Sequence, residues 1–215
     1  MTEHAFSAAE RAAIYRVIGE RRDMRHFSGG EVAAEVLERL LQAAHRAPNV
    51  GLMQPWRFIR VQNKELRGQI AGLVEQERQL TAAALDERGA QFLQLKVEGI
   101  LDCAELLVAA LPDGREQHIF GRRTLPEMDL ASLACAIQNL WLAARAEGLG
   151  MGWVSLFDPQ ALGELLGLPA DARAVAILCL GPVPEFYPQP MLVEEGWASL
   201  QPLSEMLFTD RWGES

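Results

Sequence analysis

The chain has 215 residues, of which 49% are hydrophobic and 23% charged, a composition typical of a soluble globular protein. Its 20 basic and 29 acidic residues give a net charge of −9, which disfavours non-specific binding to nucleic acid or to an anionic membrane surface. No apolar run is long enough to span a membrane, and the N-terminus lacks a signal core. We therefore expect a single cytoplasmic domain, 1–215, that folds without disulfides or metals.

The first half of the chain carries two helix signals, one strand signal and a longer helical segment. A capping box at Ser7 predicts a helix that ends near Glu20. Apolar residues at helical spacing predict a second helix over 31–47. The loosely alternating segment 56–62 predicts a strand, and the polar, proline-free segment 64–98 is helix-prone.

The second half begins with a strand signal followed by a helix signal. The apolar run 104–111, ended by a proline, predicts a buried strand. Asp129 is placed to cap a helix over 130–147, which Gly148 and Gly150 are expected to close.

Two further strands and a short helix follow in the sequence. Segment 152–157 predicts a strand, and segment 173–181 predicts the last core strand. Between them, Asp158 followed by Pro159 is a typical start for a helix that runs to about Leu166. This order, without strict βαβ alternation, predicts an α+β fold in which helices cover a central sheet.

The proline-rich tail, residues 182–215, is predicted to be an extended C-terminal arm. Its aromatic and apolar residues argue against disorder, so we expect it to pack on a surface of the chain or of a partner subunit. Cys103, Cys135 and Cys179 lie in apolar runs without metal-binding spacing, and we interpret them as buried free thiols in a reducing compartment.

The first candidate site is a basic loop that contains Arg21, Arg22, Asp23 and Arg25. Arginine suits phosphate because its planar fork donates two parallel hydrogen bonds to a pair of oxygens. On local evidence alone, a solvated charge cluster in which Asp23 pairs with a neighbouring arginine is the simpler interpretation of the pattern. No P-loop or Rossmann motif is present.

Three further segments have candidate binding residues. In the proline-restricted loop before the first strand, Asn49 and Gln54 offer side-chain amides that suit the polar rim of a flavin ring. Glycines before Ser155 allow close approach of a flat ligand. The loop with His118, Arg122 and Arg123 suits a mobile lid. On local evidence, the first two of these segments also fit ordinary turns.

Taken in order, these segments resemble the FMN-binding nitroreductases, and more closely the branch that forms 5,6-dimethylbenzimidazole. The resemblance covers about residues 14–200. Five strings of this chain carry it: RRDMRHF, APNVGLMQPWRFI, FGRRTLPEMDL, QNLWLAARAEGLGMGWVSLFDP and LCLGPVPEFYPQPML. It implies a nitroreductase-like homodimer with FMN at the subunit interface.

The resemblance also implies a reaction. Reduced FMN is the substrate, and oxygen fragments it into 5,6-dimethylbenzimidazole, the lower ligand of cobalamin, and erythrose 4-phosphate. A separate flavin reductase using NAD(P)H is expected to supply the reduced flavin. Asp23 and Ser155 are the implied catalytic residues. The implied flavin-binding residues are Arg21, Arg22, Asp23, Met24, Arg25, Asn49, Gln54, Arg122, Gly152 and Ser155. No metal site is expected.

The sequence predicts the role of Asp23 and shows two departures from the pattern of this branch. The arginines beside Asp23 are expected to lower the pKa of its carboxyl, which favours a base over an acid. Asn49 stands where the resemblance predicts a small serine, and residues 199–201 lack the arginines it predicts there. The second departure favours weaker phosphate binding.

Three other functions compete with this one. An ordinary NAD(P)H-dependent nitroreductase or flavin reductase would keep FMN as a cofactor. A non-catalytic flavin-binding module would use the same loops without needing Asp23 or Ser155. A dimeric scaffold would bind no flavin at all, and FMN would then leave its melting temperature unchanged.

Overall fold

The computed structural model describes residues 4–213, which form an α+β fold built on a four-stranded sheet. All neighbouring strands are antiparallel, in the order β1-β2-β4-β3. The strands are β1 (Arg57–Arg60), β2 (Glu105–Leu111), β3 (Gly150–Val154) and β4 (Arg173–Gly181). The predicted fold class and the four predicted strands are confirmed.

Five helices begin close to their predicted starts: α1 (Ala8–Glu20), α2 (Ala34–His45), α3 (Lys64–Ala84), α5 (Met128–Ala146) and α6 (Pro159–Leu166). Two helices of four residues, α4 (Gly89–Phe92) and α7 (Met191–Glu194), are also present, and α7 was not predicted. The capping box is present, since Ser7 Oγ accepts from the Glu10 amide and Glu10 Oε2 accepts from the Ser7 amide. Asp158 caps α6 as predicted. Within residues 4–213, no helix is long and apolar enough to cross a membrane.

Strand β2 shows why the central strands read as continuous apolar runs. Leu107 and Ala109 pack into a cluster with α2 and α5 on one face of the sheet. Leu106 and Val108 pack into a second cluster with α3 and α6 on the opposite face. Since helices cover both faces, every residue of β2 is buried, and no polar alternation is needed.

The prediction that Asp129 caps α5 is wrong. The helix begins at Met128, Glu127 occupies the cap position, and no side chain caps it. Asp129 lies inside the first turn, where its buried carboxylate pairs with the guanidinium groups of Arg115 and Arg122. One carboxylate oxygen binds these two cations and the other accepts from the Leu130 amide at 2.6 Å, so Asp129 contacts the first turn from inside the helix and not from the cap position.

Three other details differ from the sequence-based predictions. In the helix-prone segment 64–98, the long helix stops at Ala84 and only the short α4 follows. Gly148, at φ +77°, follows the end of α5, but Gly150 is already the first residue of β3. Cys103 and Cys179 are buried, whereas Cys135 is exposed on α5 because its run of small and apolar residues winds around the whole helix.

Two glycines in α3 offer a test of this helix assignment. Gly68 and Gly72 are exposed, and a Cβ added at either would meet no atom within 4 Å. Replacing each by Ala should raise the free energy of unfolding by about 0.5–1 kcal/mol, because alanine loses less backbone entropy in a helix. Chemical denaturation checks this, and a lower midpoint in both variants would contradict the helix.

Candidate functional site

The basic loop runs alongside the first residues of β3. It begins at Arg21, which terminates α1 with its amide donating to the Val17 carbonyl. Asp23 then forms a parallel bridge with Met151, and the Met24 amide donates to the Met151 carbonyl at 3.0 Å. The sheet edge therefore fixes the backbone of this loop from Asp23 onward.

Two glycines of β3 make this close approach feasible. A Cβ on Gly152 would lie 2.2 Å from the Met24 carbonyl oxygen and 2.6 Å from Arg25 Nη1. A Cβ on Gly150 would lie 3.1 Å from Cγ of Met24, and 2.3 Å from a methyl group of Val183 in the tail. The glycines before Ser155 were predicted to allow close approach of a flat ligand, but at Gly152 the protein's own basic loop occupies that space.

Asp23 is held by a set of directed hydrogen bonds. Its two carboxylate oxygens accept from Arg25 Nη1 at 2.5 Å and Arg25 Nη2 at 2.7 Å. The Trp153 amide donates to the same carboxylate at 2.9 Å, and Arg25 Nη2 also donates to the Trp153 carbonyl. The predicted pairing of Asp23 with a neighbouring arginine is therefore present. Both partners are also hydrogen-bonded to the backbone of Trp153 in β3, and together they form one wall of a cavity.

Loss of hydration in this wall raises the pKa of the Asp23 carboxyl, outweighing the opposing effects of Arg25, the Trp153 amide and Arg21. The expectation that the arginines set the net direction is therefore wrong, because the cost of desolvating the carboxylate is larger than their attraction. With its pKa raised, Asp23 takes up a proton at a higher pH than an ordinary Asp. It is suited both to accept and to return a proton.

A cavity of about 440 Å³ opens in front of Asp23. Ser155, the residue after β3, lines it, so the structure brings both predicted catalytic residues to one cavity. Its polar lining is Arg21, Arg22, Asp23, Arg25 and Ser155. Its apolar lining is Phe92, Leu95, Val97, Trp153, Val154, Leu156, Pro190, Met191, Leu192 and Trp197.

The donors in this cavity fit an anionic aromatic ligand. Arg21, Arg22 and Arg25 line it on one side, and aliphatic and aromatic side chains line it on the other. Because arginine donates paired hydrogen bonds to phosphate oxygens, this lining suits a flat ring that carries a phosphate, as FMN does.

Trp141 of α5 supports the loop from below and was not singled out from the sequence. Its Nε1 donates to the Arg22 carbonyl at 3.2 Å, and the Arg21 guanidinium lies 4.6 Å from its ring centroid. In the sequence it resembles any core residue of an apolar helix, so only the fold identifies this role.

Several predicted binding residues do not line this cavity. The Met24 side chain is fully buried, and Gly152 is covered by the basic loop. Asn49 organises its own loop, donating to the Ala47 carbonyl and accepting from the Gln54 amide. Gln54 has a φ of +48° and lies half-buried in that loop.

Arg122 is also outside the cavity and is occupied by a buried ion cluster. Its guanidinium donates to Asp129 at 3.1 Å and to the backbone carbonyl of Pro126 at 3.2 Å. His118 and Arg123 belong to the same segment. This segment, here called the Arg122 segment, packs on the loop that contains Asn49 and Gln54, here called the amide loop. A Cβ added at Gly121 would lie 2.5 Å from a Val50 methyl group. The amide loop and the Arg122 segment thus form a second cluster.

The sequence of this chain is similar to those of known proteins over most of its length. The model of the nitroreductase family matches residues 18–182. A 5,6-dimethylbenzimidazole synthase from Rhodospirillum rubrum is 41% identical over 187 residues, covering 85% of this chain and 87% of that protein. A protein of the same name from Rhodobacter capsulatus is 40% identical over 196 residues, covering 89% and 94%.

Solved structures share the fold. The BluB-like flavoprotein of Clostridium difficile 630 superposes with a TM-score of 0.71 at 19% identity, covering 92% of this chain and 99% of that one. The NADPH:FMN oxidoreductase of Vibrio harveyi, solved with NAD+, superposes with a TM-score of 0.69 at 19% identity, covering 94% and 79%. At these identities the likeness concerns the fold.

Proposed function

The chain belongs to the nitroreductase family, and from this membership we propose that it is a 5,6-dimethylbenzimidazole synthase. In this reaction oxygen fragments reduced FMN into 5,6-dimethylbenzimidazole and erythrose 4-phosphate. Relatives of that name at 36–41% identity support the proposal. The observation that carries it is the meeting of Asp23, Ser155 and three arginines at one cavity.

Each polar residue of the cavity has a task in this proposal. Reduced flavin supplies the electrons and the ring atoms of the product, and oxygen is the oxidant. Arg21, Arg22 and Arg25 stabilise negative charge on the phosphate and the ring. Asp23, whose pKa is raised by lost hydration, moves protons during bond cleavage. Ser155 donates a hydrogen bond to the reacting part of the ring.

The second cluster enters the proposal through dimerisation. Exposed apolar side chains on α1 and on the Arg122 segment provide a surface for a second copy, among them Ile14, Tyr15, Ile18, Ile119 and Phe120. We propose that association of two copies brings the amide loop, with Asn49 and Gln54, towards the cavity of the other subunit, while Arg122 stays bound to Asp129 inside its own subunit. Sedimentation at micromolar concentration tests this, and a monomer there would contradict it.

The direct test supplies purified protein with FMN, NADH, air and a separate flavin reductase. We expect 5,6-dimethylbenzimidazole to appear, identified by chromatography and mass. NADH oxidation by the protein alone, with FMN recovered intact, would instead indicate a nitroreductase. If neither flavin loss nor NADH oxidation occurs, but FMN raises the melting temperature, a flavin-binding module is indicated.

Replacing Ser155 by Ala should reduce the rate of product formation by roughly tenfold or more, because a hydrogen bond to developing charge is lost. The Ser155 hydroxyl makes no hydrogen bond within residues 4–213, so the melting temperature of the protein without flavin should change little. Ser204, an exposed serine of the tail, provides a matched control as Ser204→Ala. Equal rates for both variants and the wild type would remove Ser155 from the mechanism.

A further inference from the structure

Two of the walls of the cavity come from distant parts of the chain. One is the basic loop, and the other is the tail segment 190–197, which contributes Pro190, Met191, Leu192 and Trp197. Before it reaches the cavity, the tail crosses the basic loop, and two of the tail's backbone carbonyls accept hydrogen bonds from that loop. The Ser28 amide donates to the Pro182 carbonyl at 2.9 Å, and Arg22 Nη2 donates to the Pro188 carbonyl at 2.8 Å.

Tyr187 lies at this crossing and joins the tail to the loop through one hydroxyl. The Arg25 amide donates to the Tyr187 hydroxyl at 3.2 Å, and His26 Nδ1 lies 2.7 Å from the same oxygen. The His26 and Tyr187 rings pack edge to face, with centroids 6.0 Å apart. A phenol can accept one hydrogen bond and donate another, so both contacts can form together.

These contacts act on the two groups that matter most for the cavity. On one side, they fix the backbone of Arg25, whose guanidinium holds Asp23. On the other side, the tail enters the cavity wall three residues after Tyr187. Further along, Trp197 is held by Arg88, whose guanidinium lies 3.6 Å from the ring centroid, and by Phe92.

We propose that Tyr187 is a positioning residue, whose hydroxyl ties the tail wall to the basic loop and keeps the cavity closed during the reaction. This inference rests on the proposed function. An opened wall admits water and misaligns the proton donor, which favours simple oxidation of the substrate. In that side reaction, reduced flavin gives two electrons and two protons to oxygen, yielding oxidised flavin and hydrogen peroxide.

The test compares Tyr187→Phe with Ser204→Ala, which also removes one hydroxyl from the tail, at an exposed position outside the cavity and outside the proposed dimer surface. For each flavin consumed, 5,6-dimethylbenzimidazole and peroxide are measured. We expect the ratio of product to peroxide to fall about fivefold in Tyr187→Phe, the effect of losing one hydrogen bond. Ser204→Ala should keep the wild-type ratio. Equal ratios in all three proteins overturn the inference.

Hydrogen exchange separates this inference from the proposed function. In Tyr187→Phe, the Arg25 amide should exchange about fivefold faster than in the wild type, while the melting temperature falls by no more than about 4 °C. If wild-type protein forms no 5,6-dimethylbenzimidazole, the proposed function fails, and the Arg25 amide still decides whether Tyr187 holds the loop. Exchange of that amide at the wild-type rate overturns the role of Tyr187.

Discussion

Replacing Asp23 by Asn should lower the rate of 5,6-dimethylbenzimidazole formation by about 10²- to 10⁴-fold, the range for loss of a general acid–base group. Asn keeps one oxygen that can accept from the Trp153 amide and from Arg25 Nη1, as Oδ1 of Asp23 does, but the bond from Arg25 Nη2 to Oδ2 is lost because an NH2 group replaces that oxygen. The variant also loses the ability of the carboxyl group to bind and release a proton, and the negative charge of its ionised form. The rate is measured under single turnover with reduced FMN, and product is quantified by chromatography.

Asp102→Asn is the matched control for this substitution. Asp102 also forms an ion pair, with Lys96, but on the surface outside the cavity, and its side chain is 50% exposed. Its loss should leave both rate and stability nearly unchanged, because exposed ion pairs contribute little. FMN binding by the Asp23 variant must also be measured. A variant that binds FMN and forms product at the wild-type rate would rule out Asp23 as the proton carrier.

Elements with local signals could be predicted from the sequence. The capping box at Ser7 and the Asp158 cap followed by proline each use a side chain and amides a few residues apart, so their geometry is encoded in a short string. The continuous apolar run of β2 likewise indicates burial on both faces of a sheet. The meeting of Asp23 with Ser155 could be expected only from the family resemblance, because 132 positions separate them.

Long-range contacts set what could not be predicted. Asp129 has the residue type of a cap, yet Arg115 and Arg122 bind its carboxylate in the interior. The net direction of the Asp23 pKa depends on how much water the fold removes, which charge spacing along the chain does not report. Tyr187 contacts Arg25 across 162 positions, and no pattern around either residue indicates that contact.

Gly152 provides the second large effect. Gly152→Ala should lower the free energy of unfolding by about 3 kcal/mol and abolish product formation, since the new methyl group would occupy space held by backbone. Its Cβ would lie 2.2 Å from the Met24 carbonyl oxygen, which cannot rotate away as a side chain would. The loop must therefore leave β3, and the hydrogen bond from the Trp153 amide to Asp23 is lost with it. Denaturation and the product assay measure the two effects.

The comparison with Gly68→Ala separates this steric effect from the general effect of replacing glycine. The same methyl group is added in both proteins, but at Gly68 it meets no atom within 4 Å. The α3 variant should therefore gain stability and keep full activity, while the β3 variant loses both. If Gly152→Ala keeps wild-type stability and activity, the Met24 carbonyl oxygen does not lie within 2.2 Å of the added Cβ, and the basic loop packs less closely against β3 than described. The positions assigned to Asp23 and Arg25 would then have to be revised, because both depend on that contact.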